Sequence, residues 1–235
     1  SVSRLLGNGD GTFGPKLDYI MGANAVSVAI GDLNGDGKLD LVTANANANT
    51  VGVRLGNGDG TFGTLTQFAT GTLPWFVAIA DLNADGKPDL AASNGNGNTV
   101  SVLLGNGNGT FGPKTDYAAG TTPNCLVIRD LNADGKLDLV TSNQNANSVS
   151  VLFGNGNGTF GPKTDYATGS LPYSVAVGDL NGDGKLDLAA ATRPNTISVL
   201  LGNGYGTFGP FTEIGVVPAP FSVVIVDLDG DGKSD

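Results

Sequence analysis

The chain has no histidine at all and a single cysteine, Cys125, among its 235 residues. The first absence removes the commonest general base and the commonest zinc ligand together. The second rules out an intrachain disulfide, and Cys125 is expected to be a buried small residue on a strand. Charged residues make up only 14% of the sequence. No apolar run is long enough to span a bilayer, so membrane insertion is not expected. A helical period of 3.6 residues is missing too, and no helix of useful length is predicted. The charge that is present is lopsided: the net value of −10 argues against nucleic-acid backbones and anionic membranes as partners.

What is abundant is glycine, with 38 residues, in a chain that is 40% hydrophobic. That combination predicts a real core built from short strands joined by tight turns. Repetition organises all of it. Asp32, Asp81, Asp130, Asp179 and Asp227 open the same nine-residue loop at spacings of 49, 49, 49 and 48. A Phe-Gly pair recurs with the same spacings at Phe13, Phe62, Phe111, Phe160 and Phe208. The one-residue deletion falls in Thr192–Thr196, where an Asn-rich tract is shortened.

Each unit reads as four strands. The first is Tyr173–Val177, with Trp75–Ile79 and Phe221–Ile225 as equivalents, apolar on both faces as if covered on both sides. The loop and a second strand, Leu186–Ala190, follow. A turn such as Asn94–Asn98 leads to a third strand, Val100–Leu104, and the Gly-Asn-Gly-x-Gly turn to a fourth that carries Phe-Gly and ends near Tyr117 or Tyr166. Four short antiparallel strands in 40 to 50 residues predict a propeller blade. The expected fold is therefore an all-β propeller of about five blades in one domain, residues 1–235. Val2–Leu6 and Thr12–Tyr19 are expected to complete the blade begun by Phe221–Val226, or else the chain is a piece of a larger ring.

The loop Asp32-Leu33-Asn34-Gly35-Asp36-Gly37-Lys38-Leu39-Asp40 places side-chain oxygens at positions 1, 3, 5 and 9, and Lys38 offers its backbone carbonyl at position 7. The same five positions are Asp81, Asn83, Asp85, Lys87 and Asp89; Asp130, Asn132, Asp134, Lys136 and Asp138; Asp179, Asn181, Asp183, Lys185 and Asp187; and Asp227, Asp229, Asp231, Lys233 and Asp235. An oxygen-only set with glycine at the bend suits Ca2+, and the large protein-supplied ligand number favours it over Mg2+. Plain Asx turns would not explain why carboxylates crowd where they repel one another without a cation. Five divalent ions would also cancel the net charge of −10.

These loops, the Phe-Gly pairs and the Gly-x-x-Pro of Gly71–Pro74, Gly120–Pro123 and Gly169–Pro172 resemble the FG-GAP (VCBS-type) repeats of integrin α-subunit propellers and related fungal lectins. The resemblance implies calcium in the loop between the first and second strands of each blade, on the face away from the main ligand surface. It also implies a secreted or cell-surface binding protein whose partner is a glycan or a protein. A purely structural repeat segment of a large secreted or surface adhesion protein is the alternative.

The residue six before each loop Asp varies while its surroundings do not: Val26, Trp75, Asn124, Tyr173 and Phe221. Trp75, Asn124 and Tyr173 are candidate ligand contacts, with the two aromatics as sugar-stacking platforms; aromatic packing at a blade junction is the competing reading. Catalysis is not expected. An enzyme needs a positioned base and nucleophile, and the carboxylates left outside the loops are Asp10, Asp18, Asp59, Asp116, Asp165 and Glu213, several of which recur with the repeat, which marks structure. The Gly-Asn-Gly-x-Gly turns lack the strand–helix setting and the Lys-Ser/Thr ending of phosphate-cradling loops.

Overall fold

The computed structural model describes residues 1–216 and 218–235. Its strands form four four-stranded antiparallel sheets, each in sequence order, after a two-stranded N-terminal sheet of Val2–Arg4 and Leu17–Tyr19. Sheet 1 comprises Ala25–Gly31, Asp40–Asn45, Thr50–Arg54 and Thr66–Ala69, and sheet 2 comprises Pro74–Ala80, Asp89–Asn94, Thr99–Leu103 and Thr115–Ala118. Sheet 3 is Pro123–Arg129, Asp138–Asn143, Ser148–Leu152 and Thr164–Ala167; sheet 4 is Ser174–Gly178, Asp187–Thr192, Thr196–Leu200 and Thr212–Gly215. Two 3₁₀ turns, Ala46–Ala48 and Gln144–Ala146, are the helical segments among the described residues.

Side chains alternate across each strand, so sheets 2 and 3 each bury two faces against their neighbours. Leu90 and Ala92 pack with Val42, Val51 and Val53 of sheet 1. Ala91, between them in sequence, packs with Leu126 and Leu139 of sheet 3. Val140 and Val149 meet Val175 and Leu188 in the third layer. Edge-to-face aromatic pairs join the blades as well: Phe68 with Phe111, Tyr117 with Phe160 and Tyr166 with Phe208, at 5.2, 5.3 and 5.3 Å between ring centres. The phenylalanine of each Phe-Gly thus packs on the fourth strand of the preceding blade. Phe13, preceded by no such strand, stands 65% exposed.

Several strand expectations need correction. The strand buried on both faces is the second, wholly buried in all four sheets. It is paired along both edges, whereas the first strand has one unpaired edge and is only half-buried. Phe-Gly does not lie on the fourth strand. It forms isolated bridges such as Gly105 with Phe111, and the fourth strand begins after it, at Thr115. Residues 221–226 carry no strand assignment, and the N-terminal pair does not hydrogen-bond to them, so strand pairing does not build the shared blade. The repeat explains this: Asp235 is equivalent to Asp187, where the second strand that pairs with the first one begins.

Candidate metal loops and an inter-blade pocket

Each nine-residue loop sits between the first and second strands of its sheet, as between Ala25–Gly31 and Asp40–Asn45. Position 2 anchors it. Leu33, Leu82 and Leu131 are buried in the layer shared with the next blade, and the Leu33 carbonyl accepts the Gly109 N–H at 3.2 Å. Position 6 bends the chain with a positive φ, +77° at Gly37, where an L side chain would be strained. That bend turns the backbone N–H groups inward. Asp32 accepts those of Gly35 and Gly37 at 2.8 Å, Asn34 accepts Asp36 at 3.1 Å, and Asp36 accepts Lys38 at 2.9 Å.

Position 9 has a different environment. Asp40, Asp89, Asp138 and Asp187 are fully buried. One oxygen of Asp40 accepts the Leu33 N–H and the other the Gly56 N–H, both at 2.8 Å. Burial pushes the carboxyls of Asp89 and Asp138 up; these two N–H contacts lower them, and the loop's own carboxylates, Asp85 and Asp81 or Asp134 and Asp130, add repulsion. The position 7 ammonium pairs with the position 5 carboxylate, with Lys38 Nζ 3.3 Å from Asp36. Its stem lies against Gly58.

The donor set of the fifth loop fits a hard cation. Carboxylate oxygens of Asp227, Asp229 and Asp235 lie within 4.8 Å of one another. Oxygens that share a Ca2+ at about 2.3–2.6 Å can be no more than about 4.6–5.2 Å apart. In the other four loops an asparagine amide takes position 3 and the charge is correspondingly lower.

Away from the loops, Trp75, Asn124 and Tyr173 come together with Gln144 around a cavity of about 320 Å³. Asn124 donates from Nδ2 to Gln144 Oε1, and Gln144 donates from Nε2 to the Tyr173 hydroxyl, both at 2.8 Å. The amide bridge leaves the Tyr173 hydroxyl proton and the Asn124 carbonyl available to a ligand. A Cβ on Gly95 would stand 2.2 Å from Trp75 Cδ1 and Nε1, so the bare glycine gives the indole its place. Val26 and Phe221, at the same repeat position, do not line the cavity. A hollow of about 410 Å³ beside Arg4, Ile30 and Lys38 lies where the N-terminal pair supplies only part of a blade, and we regard it as a packing gap.

The carboxylates outside the loops have structural partners. Asp116 accepts from Ser101 at 2.6 Å and pairs with Lys114, and Asp165 repeats this with Ser150 and Lys163. Asp10 and Asp59 accept from Thr12 and Thr61 in their own turns, which holds both carboxyls below the usual range. Burial pushes the Cys125 thiol up.

A profile of FG-GAP-like repeats matches residues 1–43, 32–92, 81–141, 130–190 and 179–235 in overlapping register, which covers the whole chain. The chain belongs to the FG-GAP-like repeat family. No curated protein matches it in sequence. Among solved structures it is similar to an Agrocybe aegerita lectin that recognises non-reducing terminal N-acetylglucosamine, with 27% identity and a TM-score of 0.56 over 82% of this chain. It is also similar to two proposed 6-phosphogluconolactonases. That of Bacteroides fragilis shows 22% identity and a TM-score of 0.69 over 94% of this chain; that of Bacteroides uniformis shows 18% and 0.67 over 91%. At those identities the two share the fold and nothing further. The chain spans 52% of the lectin's length and 66% and 65% of the other two.

In this FG-GAP chain, sequence reasoning found three of the four pocket residues and missed Gln144. The signal was present: the position after the second strand reads Ala46, Gly95, Gln144 and Arg193, as variable as the position that holds Trp75 and Tyr173.

Proposed function

We propose that this FG-GAP module is a calcium-stabilised binding module, secreted or at the cell surface, and that its inter-blade pocket takes a glycan. The single observation that supports it most is the convergence of Trp75, Asn124, Tyr173 and Gln144 on one cavity. An aromatic wall beside fixed amide and hydroxyl groups suits a sugar, which offers an apolar C–H face and a rim of hydroxyls. The likeness to an N-acetylglucosamine-binding lectin supports the same reading. The recurrence of the non-loop carboxylates supports a non-enzymatic role.

In the calcium part of the proposal, Asp at positions 1, 5 and 9, the Asn or Asp at position 3 and the carbonyl at position 7 hold the ion. Bound there, Ca2+ would supply positive charge to carboxylates that otherwise repel. The ions then fix the turns between first and second strands and leave ligand recognition to the pocket.

A structural repeat segment remains the second reading. Its support is apolar surface on sheet 1, where Val28 is 52% exposed while its equivalent Val77 is 2% exposed beneath a neighbouring blade. Glycan-array binding at millimolar calcium separates the two. Signal from the native chain that is lost in Trp75→Ala supports the binding module; no signal, or signal indifferent to Trp75, overturns it.

A further inference from the structure

Two repeat positions build the pocket, and one blade further on they build something chemically different. Gln144 bridges Asn124 and Tyr173 through hydrogen bonds that satisfy both ends of its amide. Arg193 occupies the equivalent position in sheet 4 and bridges Tyr173 to Phe221. Its guanidinium carbon lies 4.6 Å from the Tyr173 ring centre and 4.5 Å from that of Phe221, and the two rings meet edge to face at 5.1 Å. Stacking on rings uses the face of a guanidinium and leaves its N–H groups directed outward in the plane. Arg193 Nε is buried with no hydrogen-bond partner. Ion pairs among the described residues join lysines to aspartates, and Arg193 is in none of them. Glu213, on the fourth strand of sheet 4, accepts from the Thr196 hydroxyl at 3.3 Å. None of the four arginines forms an ion pair among the described residues, and Arg4 Nε is likewise buried without a partner; Arg193 differs in stacking on two rings, one of them the Tyr173 of the pocket.

We infer that Arg193 is an anion subsite continuous with the Trp75–Tyr173 pocket, and that the ligand of this surface is a saccharide bearing a carboxylate, of the hexuronic acid class. The inference rests on the glycan reading of the pocket. Tyr173 is common to both places: its hydroxyl is tied to Gln144 on the pocket side and its ring face carries Arg193. A planar carboxylate matches the in-plane N–H pair of a guanidinium bidentately. The protein's net charge of −10 opposes polyanions, so one isolated charge on a mostly neutral sugar is the better fit.

Calorimetric titration of the calcium-loaded protein with methyl glucuronide, methyl glucoside and sodium acetate tests this, using the native chain, Arg193→Gln and Arg193→Lys. Arg193→Gln installs the residue that the repeat already carries at Gln144, and an unchanged melt verifies that it folds. The expected result is glucuronide binding at least ten times tighter than glucoside at low salt. That preference disappears in Arg193→Gln while glucoside binding persists, and Arg193→Lys falls between. Equal affinity for the two sugars in the native chain overturns the inference and leaves the pocket reading intact, as does a preference that survives Arg193→Gln. Acetate binding that depends on Arg193, with no sugar bound, overturns the saccharide assignment and the pocket reading together.

Discussion

Asp89 accepts the backbone N–H of Gly105 at 2.7 Å and so ties the start of the second strand to the turn after the third. Its other oxygen accepts the Leu82 N–H at 2.8 Å, which clamps the nine-residue loop to the same carboxylate. Asp89→Ala would leave two backbone donors without their acceptor in a buried place. The expected loss is about 2–4 kcal/mol in urea unfolding, with Asp89→Asn milder because one carbonyl oxygen remains. A loss below half a kcal/mol for the alanine variant would contradict the clamp.

Removal of calcium should lower the melting temperature. At free calcium ten times the dissociation constant, each site adds about 1.4 kcal/mol to the folded state. For a chain of this size that is about 3–6 °C per site. A scanning calorimetry trace unchanged by excess EDTA would remove the calcium reading.

The buried Asn94 Oδ1 has no hydrogen-bond partner, whereas its equivalents do. Asn45 Oδ1 accepts from Thr43 Oγ1 at 3.0 Å and Asn143 Oδ1 from Thr141 Oγ1 at 2.9 Å. The corresponding residue in sheet 2 is Ala92, which offers no hydroxyl. Ala92→Thr should therefore stabilise the protein by about 1 kcal/mol, measured by chemical denaturation. Destabilisation would mean that the packing around Ala92 has no room for the hydroxyl and methyl that the neighbouring sheets accommodate.

Ala84 occupies loop position 4 with φ +58°, where Gly35 holds +73° in sheet 1. A Cβ in the left-handed region is strained. Ala84→Gly is expected to gain about 0.5–1 kcal/mol and Gly35→Ala to lose a similar amount. Equal melting points for all three proteins would refute the strain argument.

Gly95→Gln tests the pocket from the opposite side to Trp75→Ala. The new side chain meets the indole at the Cβ, displaces it and fills the space that Gln144 fills one blade on. Glycan binding should fall at least ten-fold while the calcium-dependent melt is retained. Full binding in this variant would detach the ligand from Trp75.

The repeat length, the strand count per unit, the loop position and the propeller class were legible in the sequence, because they depend on spacing: glycine at fixed offsets sets the bends, and alternating residues set the faces of each strand. Local chemistry likewise marked the side-chain oxygens at loop positions 1, 3, 5 and 9. It did not reveal that position 9 is a buried clamp to Gly56 or Gly105, since those partners lie 16 residues away. Nor could a linear reading show which strand is covered on both faces. Burial belongs to the stacking of blades, and that stacking also decided the pocket. Trp75, Asn124, Gln144 and Tyr173 come from three successive repeats, and only the packing of sheets 2, 3 and 4 side by side brings them to one cavity. The sequence by itself determined the unit and the oxygen-rich loop within it; the tertiary structure determined what neighbouring units make between them.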